Sequence, residues 1–159
     1  MIDVTVARAL HVLAVVVWIG GVWFVTAVAL PALRRGDLGE GRLAAFHAIE
    51  SRFVWHARTA VIVVGASGLY MVWRLGLWAR FGHAAFWWMH AMVLVWLLFA
   101  IMLFIVEPFV LSRRFPAWAQ RRPAAAFAWL HRAHWVLLAL SLVTIFGAVA
   151  GSRGWSVFF

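Results

Sequence analysis

Apolar positions form four long runs along this chain, and the polar positions collect between them. The first run goes from Val4 to about Leu33, broken by Arg8 and His11 near its start. The second goes from about Phe53 to Trp73, the third from Ala84 to Val106, and the fourth from Ala124 to Ala150. A hydrocarbon core of about 30 Å takes roughly 20 helical residues to cross, so each run can cross once. The pattern predicts an all-α, up-down four-helix membrane bundle, with the 159 residues making a single domain. Glu107 followed by Pro108 is read as the end of the third span.

Between the first two runs, Leu38, Leu43, Phe46, Ile49 and Phe53 recur at helical spacing among Glu40, Arg42, Glu50 and Arg52. Two readings stay open: a surface helix at about 38–52 on the inner leaflet, or an N-terminal extension of the second span. Ala27-Val28-Ala29 resembles a signal-peptidase site. No basic residue precedes Arg8, however, the apolar run is too long, and Arg34-Arg35 follows it, so a retained helix is expected.

Composition sharpens this picture. The chain is 67% hydrophobic and 12% charged. A soluble domain carries roughly 25% charged residues, about twice as many. A water-soluble globule, a disordered tail and a nucleic-acid-binding module are excluded, despite a net charge of +9. All 14 positive side chains are arginine, and the absence of cysteine removes disulfides, thiolate metal sites and covalent c-type haem.

The arginines are unevenly placed. The connection between spans one and two holds Arg34, Arg35, Arg42 and Arg52, and that between three and four holds Arg113, Arg114, Arg121 and Arg122. The opposite side has Arg8, Arg74, Arg80 and Arg153. The positive-inside rule then puts both termini outside the cytoplasm and both arginine-rich loops inside, in a bacterial cytoplasmic membrane. Twelve tryptophans are present. Those near span ends (Trp73, Trp78, Trp87, Trp88, Trp118, Trp129, Trp135 and Trp155) read as interfacial anchors, whereas Trp18, Trp23 and Trp96 lie deeper.

The histidines suggest chemistry. His11 and His90 lie about seven and six residues into spans one and three, so both imidazoles sit roughly 10 Å below the outer surface. His56 and His134, with His131 one turn before His134, occupy the inner half on spans two and four. Spans one and three are diagonal in an up-down bundle, as are two and four, which offers an outer and an inner histidine pair. Ionisable residues in a membrane mark candidate sites, and imidazole is an axial ligand for haem iron. His11 and His90 are the expected outer ligands; His56 with His134, or His131 in its place, are the candidates for a second haem. Arg8, Arg58 and Arg132 lie near these histidines and could clamp propionates. Gly20 and Gly21 would let a ring approach closely. Single histidines at span ends also serve simply as hydrogen-bonded residues, the ordinary reading for His47 and His83. Met89, Met92, Met71 and Met102 supply thioethers, and Met89-His90-x-Met92 is a candidate copper(I) site. No phosphate-binding glycine loop, HExxH or nucleophile arrangement is present.

The stretch from Leu10 and His11 through Trp18, Gly20 and Gly21, followed by Pro31 and Arg34, resembles the first helix of the CopD-like and HemJ-like membrane proteins. Trp88-Met89-His90-Ala-Met92 is similar to their third helix. The resemblance implies a four-helix membrane fold and two activities: haem b-dependent protoporphyrinogen oxidation for the HemJ-like proteins, copper uptake or resistance for the CopD-like ones. The HemJ pattern has a lysine where this chain has Met92. His11 and His90 carry over as candidate haem ligands. The expectation is a b-type haem protein, with one haem or two, transferring electrons near the quinone pool. The rivals are a copper-binding membrane protein and an accessory subunit of a larger membrane complex. Expected partners are the lipid bilayer, a quinone, and a larger complex or a second copy of the chain.

Overall fold

A computed structural model describes residues 1–35 and 41–155, apart from the side chains of 42, 43 and 45–47. Every regular element among them is helical. Four long helices follow one another: α1 (Ile2–Arg35), α2 (Arg42–Arg74), α3 (Ala84–Arg121) and α4 (Pro123–Ser152). A short 3₁₀ segment, Leu77–Gly82, joins α2 to α3. Gly76, at φ 62° in the left-handed region, ends α2 at the position where a Cβ would be strained.

α1, α3 and α4 are long and apolar enough to cross a membrane. In α2, Arg58, Thr59, Gly65, Ser67 and Gly68 dilute the apolar run. The helix is continuous from Arg42, so the segment before Phe53 extends it rather than forming a separate surface helix; positions 38–40 lie outside the described residues.

Consecutive helices run antiparallel. Asp3, at the start of α1, accepts hydrogen bonds from the Tyr70 hydroxyl and Arg74 Nε at the end of α2, both at 2.9 Å. Phe53, near the start of α2, packs on Gly21 much further along α1. In the same way Trp87 and Trp88 at the start of α3 lie against Gly147 and Gly151 late in α4, and Phe115 late in α3 meets Phe127 early in α4. α4 returns to α1 through His131 and Thr26.

One apolar core joins all four helices. It contains Ala14, Trp18, Ile19 and Val22 of α1, Ala60, Val61 and Val64 of α2, Val95 and Phe99 of α3, and Leu138 of α4. Trp18 meets Phe99 edge to face at 4.7 Å, which links the diagonal helices α1 and α3. A second cluster, Val25, Leu30, Leu33, Phe127 and Leu130, closes the C-terminal end of α1 against α4. Outward positions are apolar too: Val12, Leu13 and Val16 on α1, Leu94 and Ile101 on α3, and Val143 and Phe146 on α4 are all exposed. In water such surfaces would be costly; in hydrocarbon they are not.

Glycines here are notches for rings. Gly65 sits under the Trp96 indole, where an added Cβ would come within 2.6 Å of the ring. The missing side chain lets the Trp96 indole donate to the Val61 carbonyl at 2.8 Å. Trp88, expected as an interfacial anchor, is instead buried against Gly151, while Trp73, Trp78, Trp118, Trp129, Trp135 and Trp155 are exposed. Trp23 is exposed as well, so of the three deeper tryptophans only Trp18 and Trp96 pack inward.

Candidate functional site

α1 contains Pro31 in its C-terminal half and α3 contains Pro108 and Pro116; the helices widen at Pro31 and at Pro108. α1 is a π-helix over Val25–Ala29, just before Pro31, and α3 is a π-helix over Met102–Leu111, around Pro108. The Leu30 N–H reaches back five residues to the Val25 carbonyl, and the Ser112 N–H reaches the Glu107 carbonyl by the same step. In that register the donors to Thr26 and Leu103 would be the nitrogens of Pro31 and Pro108, which carry no hydrogen. The carbonyls they leave open lie five residues earlier, at Thr26 and Leu103. Widening also keeps each proline ring away from the carbonyl one α-turn back. For this reason the helix continues past Glu107-Pro108, the expected end of the third span, to Arg121.

Side chains from neighbouring helices meet both open carbonyls. His131 of α4 places Nε2 3.1 Å from the Thr26 oxygen, and Arg58 of α2 donates from Nε to the Leu103 oxygen at 3.0 Å. Arg58 also donates from Nη2 to Glu107 Oε2 at 2.7 Å, with both side chains largely buried (20% and 25% exposed). Arg34 Nη1 lies 2.9 Å from His131 Nδ1. Arginine only donates, so Nδ1 accepts and the neutral ring carries its hydrogen on Nε2, where it bonds to Thr26. Trp135 Nε1–H also points at that Nε2 from 2.9 Å, a contact that becomes a hydrogen bond only in the other tautomer, so Trp135 and Thr26 compete for the same nitrogen.

The expected ligand histidines divide by tautomer. His11 is half-buried, with Nδ1 3.1 Å from the Val64 carbonyl and 3.0 Å from Ser67 Oγ. Ser67 spends its own hydrogen on the Val63 carbonyl, so both neighbours of Nδ1 accept. Nδ1 carries the hydrogen, and Nε2 keeps the lone pair. Gly68 lies beside this ring: a Cβ there would be 3.3 Å from His11 Cε1. His134, half-buried, and His56, exposed, donate from Nδ1 to the carbonyls of Leu130 and Arg52 at 2.9 and 2.8 Å, which also leaves Nε2 as the lone-pair nitrogen. A metal-ligating histidine commonly has this anchored Nδ1.

His90 is arranged the other way. It is exposed, its Nε2 lies 3.0 Å from the Phe81 carbonyl, and the Phe81 ring packs on it edge-on. His90 engages the 3₁₀ segment between α2 and α3, whereas His11 engages α2. Met89 is buried while His90 is exposed, so these neighbours do not share a face. Among the described residues, no group of three or more His, Cys, Asp or Glu side chains could hold a metal ion. Arg8 and Arg132 are exposed, and Arg58 is committed to Glu107 and Leu103.

Sequence reasoning passed over three features: the Arg58–Glu107 pair, Ser67 behind His11, and the Thr26–His131 bond. Pro31 and Pro108, each inside or at the edge of an apolar run, were the available signal. Two buried indole N–H groups, on Trp18 and Trp88, have no hydrogen-bond partner. No family model, no curated protein and no solved structure matches the chain.

Proposed function

We propose that all four helices cross a bacterial cytoplasmic membrane as an up-down bundle with both termini outside, and that the chain holds b-type haem through His11 for electron transfer near the quinone pool. The observation that carries the haem reading is the His11 anchor. Val64 and Ser67 hold Nδ1–H, which fixes the ring's orientation and turns a lone-pair nitrogen away from α2. The glycine at 68 keeps the space beside the ring free of a side chain.

The donor set fits haem at His11 and, by the same tautomer, at His134 and His56. His90 becomes a second ligand only if its bond to the Phe81 carbonyl breaks. When bound, the haem would supply a one-electron redox centre. The chain's own part is to orient imidazoles, to exclude water with the Trp18–Phe99 core, and to keep Arg58 neutralised by Glu107 within the membrane. The motif-level likeness to CopD-like and HemJ-like proteins agrees with this reading, and the residue at 92, methionine rather than lysine, speaks for electron transfer over porphyrinogen oxidation.

Absorbance of the purified protein is the test. The expected result is a Soret band with sharp α and β bands after reduction. A colourless protein carrying stoichiometric copper, or neither cofactor, would overturn the haem reading.

A further inference from the structure

The Arg58–Glu107 pair stands where two different surfaces of the α2–α3 seam meet. On one side the Arg58 guanidinium lies over the rings of Trp55 and Phe104, at 5.6 and 5.9 Å. Both rings are exposed, at 68% and 39%. On the other side Glu107 lines a groove between α2, α3 and the first third of α4. Its volume is about 140 Å³. A cavity of about 150 Å³ holds one benzene ring, so the groove suits a single ring.

We infer that this groove binds the ring of a membrane-soluble benzoquinol, the reduced, dihydroxy form of a quinone. This site rests on the quinone part of the proposed function and not on haem. Hydrogen-bond direction carries it. Ser51 Oγ donates its hydrogen to the Ala48 carbonyl at 3.3 Å, and Ser112 Oγ donates to the Pro108 carbonyl at 2.7 Å. Both lining hydroxyls therefore have only lone pairs left to offer a ligand. Glu107 spends Oε2 on Arg58, and its Oε1 has no partner among the described residues. In that ion pair the carboxylate only accepts. A ligand here must bring O–H or N–H donors, and the rest of its surface must suit Val54, Leu111 and Phe115.

Geometry selects a quinol among such ligands. Glu107 and Ser112 stand one π turn apart on α3, since the Ser112 N–H bonds to the Glu107 carbonyl. The para hydroxyls of a quinol have a separation close to one helical turn. The apolar surface of Trp55 and Phe104 begins at the same Arg58–Glu107 pair and gives a hydrocarbon tail a path along the seam. A neutral ring also makes recognition independent of net charge in the groove, which Glu50 lines as well. A phosphate would meet the Glu107 carboxylate, and like charges repel. The oxidised quinone, with two carbonyls and no donor, lacks what Ser51, Ser112 and Glu107 require.

Calorimetric titration of the full chain in detergent, held reduced with dithionite, tests this with two probes. One is decylbenzoquinol; the other is its di-O-methyl ether, which has the same ring and tail but no hydrogen to donate. The quinol should bind about tenfold or more tightly than the ether, because the ether leaves a charged acceptor unpaired. Leu111→Trp, which fills the groove, should abolish quinol binding, whereas Val110→Trp, at the adjacent exposed position, should leave it unchanged. Should Leu111→Trp lose its helicity, Ser112→Ala keeps the groove open and is expected to weaken binding several-fold. Equal binding of quinol and ether, equal effects of the two tryptophan variants, or no effect of Ser112→Ala would each overturn the inference. A pigmented protein that binds no quinol would sink this site and leave the haem reading standing. A colourless protein that binds the quinol and not the ether would do the reverse.

Discussion

The Nε2–H of His131 and the carbonyl of Thr26, 3.1 Å apart, replace a backbone hydrogen bond that Pro31 cannot make. Arg58 Nε does the same for Leu103, five residues before Pro108. In hydrocarbon an open backbone carbonyl has no water to turn to, so at Pro31 and Pro108 a neighbouring helix supplies the donor. Helix four thereby locks onto helix one, and helix two onto helix three.

The first lock is testable by a double-mutant cycle. His131→Ala leaves the Thr26 carbonyl unpaired and should cost about 1–3 kcal/mol. Pro31→Ala returns a backbone N–H at position 31, so adding it to His131→Ala should recover part of that loss. Additive losses, measured by unfolding in detergent, would mean that the histidine does not substitute for the proline's missing donor.

The second lock carries a charge as well. Arg58→Met opens the Leu103 carbonyl and strands the Glu107 carboxylate, for an expected loss of roughly 2–4 kcal/mol, moderated because both side chains keep some exposure. Arg58→Lys keeps the ion pair but loses the fork that reaches both partners, and should fall between wild type and Arg58→Met. Equal stability of Arg58→Lys and wild type would show the carbonyl contact to be dispensable.

Glycine notches make opposite predictions at two positions. Gly65→Ala drives a methyl into the Trp96 ring and should destabilise by about 1–3 kcal/mol. Gly20→Ala meets nothing within 4 Å and should be neutral or slightly stabilising. Thermal unfolding of the two variants side by side separates ring seating from a general intolerance of alanine.

The histidine tautomers separate the two outer candidates. His11→Ala should abolish the reduced α and β bands or release the pigment, and Ser67→Ala, which loosens the Nδ1 anchor, should shift the bands without removing them. His90→Ala should leave the spectrum largely intact, because its Nε2 is engaged with the Phe81 carbonyl. Loss of pigment in His90→Ala alone would reverse that ordering.

Topology is open to a direct measurement. A reporter fused after Phe159 should be active only outside the cytoplasm, and one placed between Arg114 and Arg121 only inside. The warrant is eight loop arginines on one side against four on the other. The opposite pair of activities would invert the chain.

Residue order alone determined the helical character, the four apolar runs and the arginine asymmetry, because each of these depends on local hydropathy and charge count. It also set Trp18 and Trp96 deeper than the interfacial tryptophans, since depth along a helix follows from residue count. Three things needed the fold. The continuation of α3 past Pro108 depends on a π register and on a donor from α2, neither visible within the α3 sequence. The direction of His90 depends on the Phe81 carbonyl in a 3₁₀ connection, where depth along the helix carries no information about rotation around it. The role of His131, by sequence the alternative to His134 in an inner haem pair and by the structure a partner of Arg34 and Thr26, turns on residues 97 and 105 positions away. Periodicity shows which face of a helix is apolar; only packing decides which orphaned carbonyl each polar side chain must reach.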